Sequence, residues 1–354
     1  MKVFWIAGDP SGDVQAAALL SAFRSRHPES RHIGWGGDAM KNAGLERLYD
    51  FPAHPIMGFV EVLLKASTIR DQFSSVKKDL TEARPDLLVL VDFAGFNLRI
   101  AAWAKAQGIK TTYFIPPKVW AWKQSRLQRL MSASDLVLSI LPFEEQWYSE
   151  RGHAIHYVGN PLSEKYASRS EYKSTSTKVL LLPGSRAQEV RRLLPVYYGL
   201  AAAQPSFDFV VVRAPGAQKF WPSTPCPQNV TLVDAPISTV AKGVRFAFTC
   251  SGTASLEISL LGIPQAVVYR ANPLSLAIAR ALVKVPYFSL PNLILDREAV
   301  PELLQEQVNV PALSGLLTAD HQEQLADCRA LVERMGAEKL ENAAVERMVN
   351  LIAS

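Results

Sequence analysis

The sequence predicts an α/β protein made of two doubly wound, Rossmann-like domains that face a cleft. Its 354 residues exceed what one hydrophobic core usually organises. Strand-length apolar runs alternate with helical patterns in each half, the cadence of right-handed crossovers in a parallel sheet. A polar stretch without hydrophobic periodicity, 163–177, separates the halves as a linker would.

Taken in order, residues 2–7 read as a buried strand, 8–13 as a capping loop and 14–25 as a helix. Further strands are expected at 87–91, 111–115 and 136–140, closing an N-terminal domain over 1–162. After the linker, strands at 179–182, 209–212, 231–233, 246–250 and 265–269 build a second domain over 178–320. Residues 321–354 are charged, alanine-rich and helical in pattern, a tail able to pack on either domain.

Composition narrows the function. A hydrophobic share of 48% with 20% charged residues supplies ample core. The net charge of +5 is spread along the chain with no basic run, which excludes a nucleic-acid partner and leaves a basic face suited to phosphorylated substrates or an anionic membrane surface. Cys226, Cys250 and Cys328 have neither metal-site nor redox spacing, so a reducing, cytoplasmic setting is expected. No apolar window reaches the roughly 18 residues of a membrane span, so any membrane contact is expected to be peripheral.

Two segments carry the chemistry: LLLPGSRAQEV at 180–190 and TCSGTASLE at 249–257. Each reads as strand, small-residue loop and helix start, the geometry that offers backbone N–H groups and a helix N-terminus to an anion. Two such loops in one half suggest a nucleotide diphosphate clamp. Arg186 follows Gly184 and Ser185 directly, placing a permanent, planar cation where phosphate oxygens would gather. The first strand is followed by GDPSG at 8–12, which departs from the dinucleotide fingerprint and disfavours hydride transfer.

Seven collinear motifs now become specific: GDPSGD (8–13), MGFVEVL (57–63), VWAW (119–122), LPFE (141–144), LPGSR (182–186), SGTASLE (251–257) and SLPNL (289–293). In this order they resemble the lipid-A-disaccharide synthase family. The resemblance implies a GT-B, inverting, metal-independent glycosyltransferase with no cofactor. Such an enzyme joins UDP-2,3-diacylglucosamine to 2,3-diacylglucosamine 1-phosphate and releases UDP. It needs a base for the acceptor hydroxyl and positive charge or oriented N–H groups for the departing diphosphate.

By motif position, Arg186 would meet the diphosphate together with Gly184 and Ser185. The loop of Ser251, Gly252 and Thr253 would complete the clamp, Glu257 would take the ribose hydroxyls, and Asn292 and Gln305 would line the nucleotide side. On the acceptor side fall Asp9, Ser11, Gly12, Asp13, Asn97, Trp120 and Asn160. The chain departs from its relatives here. The family pattern Asp, any, Pro, Asp, Phe, Asn appears as Asp92-Phe93-Ala94-Gly95-Phe96-Asn97, so glycine stands where the second carboxylate belongs. Asp92, at a strand's carboxyl end, is then the candidate base, directly or through a water. Asp9 replaces a Glu, Asn160 a His and Pro116 a Ser.

Met57, Phe59, Val60, Leu63 and Leu64, flanked by Lys65 and Arg70, would form an acyl-chain and inner-leaflet contact. A homodimer through the C-terminal segment is left open. Two other readings stand beside the leading one: a GT-B transferase using another UDP-sugar or acceptor, and a non-catalytic nucleotide-sugar-binding paralogue, favoured only by Gly95.

Overall fold

The computed structural model describes residues 1–50, 66–166, 175–250, 252–272, 285–336 and 339–354. In the N-terminal unit, β1 (Lys2–Ala7), β2 (Arg31–Gly36), β3 (Glu46–Asp50), β4 (Leu87–Val91), β5 (Thr111–Phe114), β6 (Leu136–Ser139) and β7 (His156–Tyr157) form one sheet. The strands are parallel, in the order β3-β2-β1-β4-β5-β6-β7. The C-terminal unit repeats the plan with β8 (Lys178–Leu182), β9 (Asp208–Val212), β10 (Val230–Val233), β11 (Phe246–Cys250), β12 (Gln265–Tyr269) and β13 (Glu302–Leu304). These too are parallel, in the order β10-β9-β8-β11-β12-β13.

Alternation of side chains across a pleated strand explains the apolar runs. In β1, Val3, Trp5 and Ala7 enter the core on one face of the sheet while Phe4 and Ile6 enter the core on the other. In β4, Leu87, Val89 and Val91 join the first core and Leu88 and Leu90 the second. A strand covered on both faces favours apolar side chains at every position, and a polar one there needs a hydrogen-bond partner. The expected strands therefore appear within a residue of their boundaries. The run at 111–115 stops at Phe114 because Ile115 turns to φ 61°.

The first helix begins four residues before its expected start, at Pro10–Arg26. Asp9 caps it by accepting the Gly12 N–H at 2.7 Å, and Pro10 fits the first turn, where a missing N–H costs nothing. The units divide at Pro161/Leu162 and again at Gly336/Ala337. The last 34 residues are thus not one tail. Helix Gln322–Met335 belongs with the C-terminal unit, whereas helix Leu340–Ala353 returns to the N-terminal unit. There Ala343, Ala344, Val345 and Met348 are buried with Leu19, Leu20 and Phe23 of the first helix.

Met348→Ala is expected to destabilise the N-terminal unit by about 2–5 kcal/mol. Urea unfolding followed by tryptophan fluorescence measures this, because every tryptophan except Trp221 lies in that unit. An unchanged midpoint would mean that the helix contributes nothing to that core.

Candidate active site

In the N-terminal sheet the strand order reverses between β1 and β4, which are hydrogen-bonded neighbours. The loops leaving their carboxyl ends diverge and open a crevice, the usual ligand position in such sheets. Asp9 follows β1 and Asp92 follows β4. The two loops meet at Gly8, where a Cβ would collide with the Phe93 ring.

Asp92 and Phe93 both adopt left-handed backbone, φ 45° and 47°, before the helix Ala94–Ala106. Two consecutive non-glycine residues in this region are strained and persist only when their surroundings over-determine them. Here the Asp92 N–H donates to the Phe114 carbonyl at 3.0 Å. The Asp92 carbonyl accepts from Asn97 Nδ2 at 2.9 Å and from the Tyr113 hydroxyl at 2.6 Å. Asn97 and Tyr113 are wholly buried. The Asn97 Nδ2 therefore fixes the Asp92 backbone, while its Oδ1 is buried without a hydrogen-bond partner among the described residues.

Burial pushes the Asp92 carboxyl up to about 6, with the Asp9 charge adding to the shift and Lys118 and the Phe93 N–H opposing it. Behind it Glu144 is buried, its Oε1 accepting from Trp120 Nε1 at 2.7 Å and its Oε2 from the Ser139 hydroxyl. Burial raises Glu144 to about 7 against these hydrogen bonds and the Lys118 charge, while Asp92 raises it further. Asp9, Asp92, Lys118 and Glu144 thus form one electrostatic cluster at the carboxyl ends of β1, β4, β5 and β6. Trp120 is packed edge-on to Phe143, 5.0 Å between centroids. Asn160 is buried and donates to the Ile140 carbonyl at 2.9 Å.

Asp13 is not an acceptor contact. Its carboxylate accepts from the N–H groups of Gly37 at 2.7 Å, Ala39 at 2.9 Å and Met40 at 3.2 Å, capping helix Asp38–Asn42. Gly12 is buried with its N–H given to Asp9, and Ser11 is exposed beside it. Sequence reading passed over Lys118, Tyr113 and Glu144 as site residues. The signal for Glu144 was its place in LPFE, and that for Lys118 its position after Pro116-Pro117.

The C-terminal sheet reverses between β8 and β11. The two small-residue loops leave the carboxyl ends of these neighbouring strands, Gly184, Ser185 and Arg186 after β8 and Gly252 and Thr253 after β11. The N–H groups of the first loop are not bare as expected. Ser185 N and Arg186 N donate to Glu189 Oε2 at 3.1 and 3.2 Å, and Arg186 Nη1 donates to Glu189 Oε1 at 2.8 Å. The Arg186 side chain is nonetheless 58% exposed. In the second loop Gly252, at φ 129°, precedes helix Thr253–Leu260, whose first residue is exposed.

Glu257 lies one turn into that helix with its side chain 14% exposed. It accepts a hydrogen bond from the Tyr166 hydroxyl and has Lys165 Nζ 3.9 Å away. Asn292 is wholly buried and its amide is consumed locally. Nδ2 donates to Val300 O and Glu302 Oε1, and Oδ1 accepts from Ala299 N and Val300 N, at 2.8 to 2.9 Å. It braces the turn instead of lining the nucleotide side. Gln305 is likewise a clamp on Ala271, accepting from its N–H at 2.7 Å and donating to its carbonyl at 3.2 Å. Ser251, Met57, Phe59, Val60, Leu63 and Leu64 lie outside the described residues.

Two Rossmann-like parallel sheets, each with flanking helices and one switch point, define the GT-B glycosyltransferase fold. The glycotransferase of kitacinnamycin superposes with a TM-score of 0.72 at 13% identity over 99% of each chain. The UDP-GlcNAc 2-epimerase from Neisseria meningitidis does so at 0.63 and 13% identity over the full length of both. The lipid-A-disaccharide synthetase family model matches residues 3–351. The lipid-A-disaccharide synthase of Granulibacter bethesdensis is 34% identical over 90% of this chain and 85% of its own, and that of Alcanivorax borkumensis 35% over 87% and 85%. The chain belongs to the lipid-A-disaccharide synthetase family and is a hexosyltransferase.

Because the native carboxyl of Glu144 holds a proton that the unfolded chain releases, stability is full below about 4.5 and falls as pH rises to about 7. The loss over that window is of order 3 kcal/mol. Glu144→Gln is expected to flatten it, as measured by urea unfolding at pH 5 and pH 8. An equally steep dependence in the variant would locate the titrating group elsewhere.

Proposed function

We propose that the chain transfers 2,3-diacylglucosamine from UDP to the 6-hydroxyl of 2,3-diacylglucosamine 1-phosphate, forming a β-1,6 linkage and releasing UDP. The acceptor oxygen attacks the anomeric carbon as the bond to the diphosphate oxygen breaks, and configuration inverts. The hydroxyl proton goes to Asp92, and the bonding electron pair leaves on UDP. The observation that carries this reading is Asp92 itself: a carboxyl held at a switch point on strained, pinned backbone, with its proton affinity raised to about 6. That makes it a stronger base than an ordinary aspartate and still ionised near neutrality. Desolvation thereby supports a base role in a chain whose family position holds Gly95.

The charge on the departing diphosphate would be met by Arg186, a cation that needs no metal, with the Gly252–Thr253 loop beside it. Glu257 would exchange its Tyr166 partner for the ribose hydroxyls. Both substrates carry acyl chains, so the enzyme would work at the inner face of the membrane as a peripheral protein. No described helix is long and apolar enough to cross a bilayer.

Gly95 favours a second reading, a relative that binds nucleotide sugar without turning it over. Its position is solvent-exposed and a Cβ there meets nothing within 4 Å, so a carboxylate was lost without being replaced by packing. Mass spectrometry of products from UDP-2,3-diacylglucosamine and 2,3-diacylglucosamine 1-phosphate, without added metal, separates the two. Disaccharide phosphate plus UDP is expected, and UDP binding without product would favour the second reading.

Asp92→Asn is expected to lower kcat about 10²- to 10³-fold and to remove the fall in activity below about pH 6, where the protonated carboxyl no longer accepts a proton. A pH–rate profile of both proteins tests this, and a persistent acidic limb would place the base elsewhere. Gly95→Asp is expected to melt no lower than wild type. An aspartate in the first turn of a helix favours the dipole and removes the glycine penalty, together about 1 kcal/mol.

A further inference from the structure

The donors that the first phosphate-type loop would offer an anion are already held by Glu189. This side chain sits in the first turn of helix Ala187–Ala203, is 8% exposed, and folds back over the helix N-terminus. It takes both backbone N–H groups of the loop and one guanidinium nitrogen, so a single carboxylate does what a phosphate would do there. The loop is built around it. Gly184 has φ 102°, and a Cβ at that position would fall inside the Glu189 carboxylate. A diphosphate entering the same N–H groups would have to displace a buried carboxylate or sit against it, and like charges repel.

Arg186 is left in an asymmetric state. Its Nη1 is bound to Glu189 while more than half of the side chain faces solvent. A guanidinium is a rigid planar fork, so fixing one edge fixes the direction of the other.

We propose that Glu189 is the positioning residue for Arg186: it reserves the backbone N–H groups of the first loop for itself and aims the outer guanidinium edge at the donor diphosphate. The first loop therefore contributes a directed cation, not a backbone cradle. The inference rests on the reading of Arg186 as the diphosphate contact and adds to it the residue that orients that contact.

The test compares calorimetric affinities for UDP and for uridine in the wild type, Glu189→Gln, Arg186→Ala and the double variant. The ratio of the two affinities isolates the diphosphate. Each single variant is expected to lower that ratio about tenfold, one charge-assisted hydrogen bond's worth, and the double variant to match Arg186→Ala within about twofold. Glu189→Asp separates capping from aiming. Its shorter carboxylate still reaches the helix N-terminus and preserves the melting temperature, yet withdraws from the guanidinium and is expected to lose the ratio as Glu189→Gln does. It also serves if Glu189→Gln fails to fold.

A wild-type ratio in Glu189→Asp or Glu189→Gln, tighter UDP binding in either, or penalties that multiply in the double variant would each overturn the proposal. If Arg186→Ala itself keeps the wild-type ratio, the diphosphate reading fails and this inference with it. A loss in Arg186→Ala alone refutes only the role of Glu189.

Discussion

In each parallel sheet, two hydrogen-bonded strands send their chains away in opposite directions, β1 and β4 in one, β8 and β11 in the other. No crossover helix covers the gap between such a pair, so the loops there leave the sheet on opposite sides of an open crevice. Open loops still carry backbone donors that must be satisfied. In this chain the partners are its own carboxylates: Asp9 for Gly12, Asp13 for the turn at Gly37–Met40, Glu189 for Ser185 and Arg186, and Glu302 for Phe288 and Ser289. The strained Asp92 backbone is held differently, by the Phe114 carbonyl, the Asn97 amide and the Tyr113 hydroxyl.

What could be read from the sequence follows from where each residue finds its partners. Strands buried on both faces, such as 2–7 and 87–91, leave long apolar runs and are plain to see. Strand β2 was missed because its two glycines and His32 break the run, and His32 is accommodated by the Trp5 Nε1 hydrogen bond at 3.0 Å on one ring nitrogen and the Ser30 hydroxyl at 2.8 Å on the other. The edge strand β3 alternates polar residues, and β7 and β13 are two and three residues long. The placement of Asp92 and Arg186 in loops at strand ends was legible because strand end, loop and residue type are local signals. Asn292, Gln305 and Asp13 were not, since an amide or carboxylate that binds a ligand looks the same in sequence as one that binds a distant backbone. Glu144 escaped for a related reason: its proton affinity comes from burial, against the hydrogen bonds of Trp120 and Ser139, and no spacing announces that burial.

The N-terminal unit shows how a carboxylate can be made more basic without a second acid beside it in the chain. Asp92 gains its proton affinity from desolvation and from Asp9 across the crevice, with Lys118 limiting the rise. Glu144 lies one shell further in and feels the same lysine. The charge on Asp92 in turn raises Glu144, so the two buried carboxyls are electrostatically linked. The absent side chain at Gly95 leaves that pair untouched, because the glycine faces open space.

The return of helix Leu340–Ala353 to the first unit sets an order of assembly. Leu19, Leu20 and Phe23 leave the ribosome hundreds of residues before Ala344 and Met348, which complete their core. The C-terminal unit, by contrast, is contiguous from Leu162 to Gly336 and can close as soon as it emerges. The domain made first is therefore finished last. Throughout synthesis it carries an uncovered apolar face on its first helix, a surface that chaperones would have to shield until the final residues arrive.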